Sequence, residues 1–202
     1  ICGVVGHKAS VQNAKAQLPN GVRVFSSDDL GAIEAWEAPI KLLAIKPQQI
    51  TEVEGKLGQI DTSASTARPL LISLLAGIRL KRLEETFPKC LCVRAVPNLP
   101  VLVGVGLTGL AWGEGITSDQ KLLVKKFFTP ISEVLELTED QLDPFLALTS
   151  SGPAYVALIA EALADGAVAA GLPRLLSNYL AHRTLFGTSL LLKEKELQPG
   201  QL

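Results

Sequence analysis

The 202-residue sequence predicts an α/β domain followed by an all-helical domain. Up to about residue 137, short apolar runs rich in β-branched residues alternate with helical patterns, which is typical of βα units that build a parallel sheet. After Thr138 the chain changes to long helical stretches rich in alanine and leucine, with turn residues between them. We therefore predict one domain over residues 1–137 and a second over residues 138–202.

Five apolar runs in the first domain have the length and composition of strands. They lie at residues 2–5, 22–25, 41–46, 70–76 and 90–96. Four segments between them carry the residues of short helices, and most of these segments end at Gly or Pro. They lie at residues 9–18, 28–36, 48–57 and 80–87. Two further runs fit edge strands on either side of a helix at residues 119–128; they lie at residues 107–112 and 133–137.

The second domain contains three predicted helices, at residues 139–148, 154–170 and 174–195. One face of the middle helix carries small side chains, which let another helix approach closely. These are Ala157, Ala160, Ala164 and Ala167. Such a face fits either an ordinary core contact or a subunit interface. With its flanking leucines it presents more apolar surface than one short domain can readily cover, which favours a homodimer.

The composition is that of a globular protein, with 48% hydrophobic and 19% charged residues and a formal net charge of −1. The sequence has no basic patch that would indicate a nucleic-acid partner. The longest apolar run, residues 155–170, is shorter than the roughly 20 residues that a membrane span needs, so we expect no membrane segment. Three cysteines fit neither a disulfide framework nor a zinc site, and no secretory signal opens the chain. We therefore expect no metal and a cytoplasmic location.

The chain contains no methionine and opens directly on the apolar residues 1–5. We therefore expect it to be incomplete. In terms of the predicted domains, the first βα unit of the sheet domain and the C-terminal part of the helical domain would be missing.

The start of the chain resembles a later part of a dinucleotide-binding domain. A Rossmann fold holds the dinucleotide pyrophosphate on a G-x-G-x-x-G turn after its first strand, and this sequence has no such turn. Residues 2–10 instead resemble the second strand and its following loop, where the cofactor ribose and any 2′-phosphate would lie. His7 and Lys8 are placed to meet a 2′-phosphate, because cationic donors favour its extra negative charge. We expect NADPH to be preferred over NADH; the alternative is a solvated basic turn.

Three successive strands end in turns that contain Pro or Gly, at Pro47, Gly77 and Pro97. Ligands of open α/β sheets bind at the carboxyl ends of the strands, so these turns predict one edge of a cleft. Each turn also has a purely structural explanation, because Pro ends a strand and Gly permits close backbone approach.

The most specific segments lie in the helical domain. They are T-S-S-G-P-A-Y at residues 149–155, E-A-L-A-D-G at residues 161–166 and G-L-P-R at residues 171–174. Before them come A-I-K-P at residues 44–47, A-G-I at residues 76–78 and R-A-V-P-N at residues 94–98. In this order and spacing, the segments resemble those of pyrroline-5-carboxylate reductases, and the resemblance covers essentially the whole chain.

The resemblance implies a Rossmann-like dinucleotide-binding domain followed by an all-α dimerisation domain, with each active site between the two. The implied activity is reduction of L-1-pyrroline-5-carboxylate to L-proline by hydride transfer from NAD(P)H. The implied partners are this small-molecule substrate and at least one further copy of the chain.

The resemblance also implies site residues. His7 and Asp28 would lie on the adenosine side of the cofactor, residues 44–47 along it, residues 76–77 nearest the nicotinamide, and residues 97–98 beside that ring. With Lys8, the predicted cofactor-binding residues are His7, Lys8, Asp28, Ala44, Ile45, Lys46, Pro47, Ala76, Gly77, Pro97 and Asn98. Glu196 falls where the family places a substrate-side glutamate, although it also fits a solvated helix end.

Several positions depart from the family pattern. The chain ends at Leu202, before the family's S-P-G-G-T-T-like loop, so the catalytic threonine of that loop is not among these residues and the catalytic residue stays unknown. Ser150 replaces a usual glycine, and Val96 a common methionine. Leu99 replaces the threonine of P-N-T-P, which removes a hydroxyl near the predicted nicotinamide position.

Two alternatives stay open. The first is another reductase with a Rossmann domain and a helical domain, acting on imines or hydroxyacids; such enzymes generally use a lysine in the helical region, and none occurs there before Lys193. The second is a non-catalytic dimerising module of the same fold. Imine reduction itself needs a positioned hydride and a proton donor but no strong internal acid, which suits a chain whose two histidines are His7 and His182.

Overall fold

The computed structural model describes residues 1–58 and 68–202, and the side chains of residues 57 and 58 are not part of the description. The chain divides into two compact units, Ile1–Leu146 and Ala147–Leu202. The first unit contains all the described strands, and the second contains helices. The predicted fold class, an α/β domain followed by an all-helical domain, is confirmed.

Every predicted strand and helix is present, with shifts of a few residues at the ends. The strands are β1 (Cys2–Val5), β2 (Arg23–Ser26), β3 (Ile40–Leu43), β4 (Leu70–Ser73), β5 (Leu91–Pro97), β6 (Gly106–Trp112) and β7 (Ser132–Glu136). The helices are α1 (Lys8–Gln17), α2 (Ala32–Glu37), α3 (Ile50–Gly58), α4 (Leu80–Thr86), α5 (Ser118–Phe128), α6 (Glu139–Thr149), α7 (Gly152–Ala169) and α8 (Arg174–Glu194).

The start of α2 shows the largest difference from the prediction, at Ala32 instead of Asp28. The cause is a turn that follows β2. Asp29 Oδ2 accepts the backbone N–H of Ser26 at 2.9 Å. An Asp side chain bonded to nearby backbone in this way offers the chain an alternative to helix, so the helix begins only after the turn.

The strands form two sheets. β1 and β2 pair in parallel, and the other five strands lie in the order β3-β4-β5-β6-β7. All pairs in the larger sheet are parallel except β5 with β6. The prediction that both late strands are edge strands is wrong for β6, which pairs on both sides. The connection between β5 and β6 is too short for a parallel crossover, so it reverses the chain through a 3-10 turn at Leu99–Val103 and left-handed Gly104.

The split between the sheets fits a doubly wound strand order. In the order 3-2-1-4-5-6, the first strand lies between strands 2 and 4. β1 and β2 match the neighbouring strands 2 and 3 of this order, and β3 to β5 match its strands 4 to 6. That the first βα unit precedes residue 1 stays a prediction.

The larger sheet buries apolar side chains on both faces, as parallel sheets covered by helices do. One face packs against α4 and α6. The fully buried residues of this contact include Leu71 and Cys92 of the sheet, Leu83 of α4 and Leu142 of α6. The other face packs against α5; its buried members include Ile72, Val93, Leu110, Val124 and Phe128.

Helix α6 explains why the first compact unit extends beyond the predicted domain end at residue 137. Leu142 is fully buried in the sheet core, with Phe145 and Leu146 packed against it. Gly109 in β6 permits this close approach, since an added Cβ would lie 2.9 Å from Leu142 Cδ2. Pro144 lies inside α6 and has no N–H to donate to the carbonyl of the preceding turn.

In the second unit, α7 packs against α8. Ala160 and Ala164 of α7 are buried, as are Ser177 and Ala181 of α8. The buried alanines therefore serve a contact within the chain, and the hypothesis that they form a subunit interface is wrong for these two positions. Large apolar side chains on the same two helices are exposed instead. They include Tyr155, Val156, Leu158, Ile159, Leu163, Leu175, Tyr179 and Phe186.

Helices α6 and α7 together form one stretch, Glu139–Ala169, of 31 residues that is long and apolar enough to cross a membrane by length and composition alone. Length and composition alone do not establish a membrane span, so the expectation that the chain has no membrane segment stays a prediction. Such a stretch with exposed apolar side chains equally suits a protein interface.

Candidate functional site

The first part of the site lies where β1 and β2 end. The Ser27 N–H donates to the carbonyl of Val5 at 2.8 Å, and its Oγ donates to the carbonyl of Gly6 at 3.2 Å. These bonds hold the loop after β2 beside the loop after β1. His7 occupies the N-cap position of α1 without a side-chain capping bond, and both His7 and Lys8 are exposed.

Two lysines and two aspartates meet at this end of the small sheet. Lys8 Nζ lies 4.0 Å from Asp29, and Lys56 Nζ donates to Asp28 Oδ1 at 2.8 Å. The hydrogen bond from Lys56 holds the pKa of the Asp28 carboxyl below its usual range, and the charge of Lys8 acts in the same direction. Of the two predicted contacts to a phosphate, Lys8 therefore stands beside a carboxylate.

Lys56 was not predicted as a site residue. It lies on α3, 28 positions from Asp28 along the chain. A lysine on an amphipathic helix is so common that no pattern in the sequence marks this one.

The second part of the site lies where β3 and β4 end. The two strands are parallel neighbours, so the turns that follow them lie at the same edge of the sheet. Residues 44–47 lead into a short 3-10 turn, where the Lys46 N–H donates to Gln49 Oε1 at 3.2 Å. Ala76 and Gly77 are exposed, and Gly77 has φ of 73°, a conformation that favours glycine.

Asn98 closes the end of β5. Its N–H donates to the carbonyl of Leu107 at 3.1 Å, and its side-chain Oδ1 accepts the Leu107 N–H at 2.8 Å. This buried side chain therefore braces the reversal from β5 to β6, a structural role that the sequence did not reveal. Pro97 is half-buried beside it, and the Leu99 side chain is exposed.

An ion-pair network around the buried Arg94 lies on the α6 side of the larger sheet, and sequence reasoning missed it. Arg94 in β5 is 1% exposed, and its Nη1 donates to Glu139 Oε1 at 2.9 Å. Asp143 Oδ1 lies 3.6 Å from Nη2 of the same arginine. One signal was present, because an arginine inside an apolar strand is rarely buried without an acidic partner.

Glu196 lies in the second unit, directly after α8. It is exposed and adopts φ of 52°, so the chain turns sharply at this residue. Its predicted role beside the substrate stays a prediction.

The described residues contain no group of three or more His, Cys, Asp or Glu that could hold a metal ion. Cys2, Cys90 and Cys92 are free thiols. Burial raises the pKa of the Cys92 thiol to about 12 and also raises that of Cys90. A buried thiol with a raised pKa is a poor nucleophile, so neither of these cysteines suits catalysis.

The sequence has clear relatives. Residues 139–202 match the family described as pyrroline-5-carboxylate reductase dimerisation. The chain is 40% identical to a pyrroline-5-carboxylate reductase of Synechocystis sp. over 199 residues, which cover 98% of this chain and 72% of that protein. It is 37% identical to the Glycine max enzyme of the same name over 183 residues, which cover 90% of this chain and 64% of that protein.

Solved structures give the same result. The structure of a pyrroline-5-carboxylate reductase from Coxiella burnetii matches with a TM-score of 0.82 and 32% identity, over 100% of this chain and 72% of that one. The Plasmodium falciparum pyrroline carboxylate reductase, solved with NADP bound, matches with a TM-score of 0.75 and 28% identity, over 91% of this chain and 71% of that one.

Proposed function

Because the chain belongs to the pyrroline-5-carboxylate reductase family, we propose that the protein reduces L-1-pyrroline-5-carboxylate to L-proline by hydride transfer from NAD(P)H. The observation that carries the proposal is the 40% identity to a reductase of this name across 98% of the chain. A hydroxyacid reductase or a non-catalytic module of the same fold is not favoured by these relatives.

The residues at the strand ends fit a dinucleotide. The turns after β1 and β4 are exposed, as are Ala44 and Lys46 after β3, and nothing lies within 4 Å of the position that a Cβ would take at Gly77. A ligand can therefore approach the backbone closely at this turn. On the adenosine side, Lys8 and Lys56 offer positive charge to phosphate. When bound, the cofactor supplies the hydride, which is the difficult half of the chemistry.

The chain itself mainly orients the reactants. A protonated cyclic imine is already electrophilic, so the reaction depends on alignment of the ring with the hydride donor and on a hydrogen-bond donor at nitrogen. We assign the cofactor side to the turns at residues 44–47, 76–77 and 97–98, and a substrate-side position to Glu196.

The direct test uses the purified full-length protein in two assays, NAD(P)H oxidation with pyrroline-5-carboxylate and NAD(P)+ reduction with 3-hydroxyacids. Turnover with pyrroline-5-carboxylate and formation of proline are expected. Activity with hydroxyacids alone would overturn the assignment.

A preference for NADPH is the finer part of the proposal, supported by the exposed His7 and Lys8 beside the ribose position. Lys8→Glu should raise the KM for NADPH roughly tenfold, which corresponds to a loss of about 1–2 kcal/mol of binding free energy. It should change the KM for NADH much less. Lys15→Glu on the same helix is the matched control and should change neither. Because Lys8 stands 4.0 Å from Asp29, Asp29→Asn should lower the KM for NADPH. Equal effects of Lys8→Glu on both cofactors would remove the argument.

We also propose a homo-oligomer, at least a dimer, assembled through residues 139–202. The match of this segment to a dimerisation family supports it, as does the exposed apolar surface of α7 and α8. We further propose a cytoplasmic protein without nucleic-acid or membrane partners, and a net charge of −1 without a basic run gives it no electrostatic attraction to nucleic acid or to an anionic membrane surface. Light scattering should give at least twice the mass of one chain, and cell fractionation should place the protein in the soluble fraction.

A further inference from the structure

Arg94 occupies an unusual place for a charged side chain. It lies two positions from both Cys92 and Val96 along β5, so its side chain points to the same apolar face of the sheet as theirs. Its side chain is 2% exposed, and its Nε has no hydrogen-bond partner among the residues that the structure describes. A buried ion pair is often no more stabilising than apolar side chains of similar size. Stability alone therefore gives little reason for an arginine here.

The partner of Arg94 makes a second contact that points toward the cofactor edge. Glu139 Oε1 accepts from Arg94 Nη1 at 2.9 Å and from the backbone N–H of Leu80 at 2.6 Å. Leu80 is the first residue of α4, three positions after Gly77. One carboxylate thus connects the centre of β5 to the far side of the turn between β4 and α4.

Further ion pairs of the network involve Arg79, the residue before Leu80. Arg79 Nη1 lies 3.5 Å from Asp140 Oδ1, and its Nη2 lies 3.9 Å from Asp143 Oδ2. Asp143 also faces Arg94, at 3.6 Å. Consecutive residues at the start of α4 are therefore both held by the first turns of α6.

We propose that this network, formed by Arg79, Arg94, Glu139, Asp140 and Asp143, positions the Ala76–Gly77 turn for hydride transfer. The turn is exposed, and its glycine has no side chain to anchor it. On the β4 side it is held by buried Leu75, whose N–H donates to Ser73 Oγ at 3.3 Å, and on the α4 side by the network. Arg94 and Glu139 are thus positioning residues, and the inference rests on the proposed function in that it places the nicotinamide beside this turn.

Glu139→Gln in the full-length protein is the first test. A neutral amide accepts the Leu80 N–H more weakly than a carboxylate does, and it no longer balances the buried Arg94. Turnover should fall about tenfold while the Kd for the cofactor changes by less than about threefold, because misplacement affects the reacting geometry more than binding. The kinetic isotope effect with deuterated cofactor should rise as hydride transfer becomes limiting. Glu34→Gln, which breaks the exposed Arg23–Glu34 pair, is the matched control and should change none of these.

Two further variants separate positioning from stability. Arg94→Leu combined with Glu139→Leu removes both charges, so thermal stability should recover while turnover stays low. Arg79→Gln alters a side chain that is 60% exposed, so the chain should fold normally and lose turnover by a smaller factor. Recovery of turnover together with stability in the double variant would overturn the proposal, as would unchanged turnover in both Glu139→Gln and Arg79→Gln.

Hydrogen exchange gives a readout that does not depend on the reaction. In Glu139→Gln, amides of residues 76–83 should exchange faster than in the unmodified protein, with no change at residues 132–136 of β7. Unchanged exchange at residues 76–83 would overturn the proposal. If the unmodified protein fails to reduce pyrroline-5-carboxylate, the proposed function fails, and the exchange measurement still decides whether the network holds the turn.

Discussion

The two compact units bury their apolar side chains very differently. In Ile1–Leu146, large side chains such as Leu83, Leu110 and Leu142 are completely inaccessible to solvent. In Ala147–Leu202, the buried positions of α7 and α8 hold only small residues, while Leu158 is 64% exposed and Leu175 is 85% exposed. The sheet unit therefore has a core of its own, whereas two packed helices leave their large apolar side chains without cover.

This difference shows that the apolar residues of the two units serve different purposes. A pair of helices has two sides, and among the described residues the fully buried positions lie on the side with the small residues. The match of residues 139–202 to a dimerisation family supports a second copy of the chain as the partner for the other side. Substitutions that are chemically alike should consequently have unlike effects in the two units.

The largest expected contrast is between two leucine truncations. Leu83→Ala should lower the free energy of unfolding by about 2–5 kcal/mol, because it leaves a cavity in the sheet core. Leu158→Ala should change the stability of the dissociated chain by less than about 0.5 kcal/mol, since its side chain is exposed there. Denaturant titration at low protein concentration measures both. Similar losses at the two sites would contradict the contrast.

A charge on the exposed helical surface should act on assembly. Leu158→Glu should weaken self-association by about 2 kcal/mol or more, or roughly 30-fold in Kd, if this position lies within the interface. Leu122→Glu on α5 is the matched control, because Leu122 is 53% exposed in the sheet unit. Analytical ultracentrifugation compares the two variants. A change in association for Leu122→Glu but not for Leu158→Glu would place the interface elsewhere.

Glycine substitutions sharpen the same comparison. Gly109→Ala should cost about 1–3 kcal/mol of stability, because the new methyl group would meet Leu142 and Phe145 of α6. Gly187→Ala in α8 meets nothing within 4 Å and should stabilise the dissociated chain by about 0.5–1 kcal/mol through better helix propensity. Thermal unfolding measures the change in stability of both variants. Destabilisation by Gly187→Ala would show that the α8 surface around Gly187 already contacts another part of the chain.

A further expected effect concerns pH and the sheet core. Burial raises the pKa of the Cys92 thiol from 9.0 to about 12, so the folded state keeps the proton while the unfolded state loses it above about pH 9. This contribution to stability is complete below pH 9 and is lost as the pH rises. Between about pH 9 and pH 10 the loss should be about 1 kcal/mol. Cys92→Val should remove this part of the pH dependence, and an unchanged pH profile in that variant would contradict the prediction.

Much of the fold was predictable because its signals are local. The strands of the sheet unit are short β-branched runs, and the ends of parallel strands lie together by geometry, which placed residues 44–47 and 76–77 at one edge. The antiparallel pairing of β6 was missed, although the short connection from Pro97 to Gly106 excludes a parallel crossover.

Contacts between distant residues were not predictable. Arg94 and Glu139 are 45 positions apart, and only the folded sheet shows that α6 covers this strand. The buried alanines illustrate the same limit, since their spacing fits a helix contact but does not say which helix makes it. For Asn98, the position beside the nicotinamide that the resemblance implies stays a prediction, and the structure adds a brace between two strands that the sequence did not indicate.

The exposed side chains of α7 and α8 also bear on how the protein reaches its native state. A partner that binds only the folded chain stabilises it by mass action, so the melting temperature should rise with protein concentration. A newly made chain at low abundance would keep its sheet unit folded while its helices remain open to chaperones and to wrong partners. Refolding should accordingly show a fast step that is independent of concentration, followed by a slower second-order step as the helices find another copy.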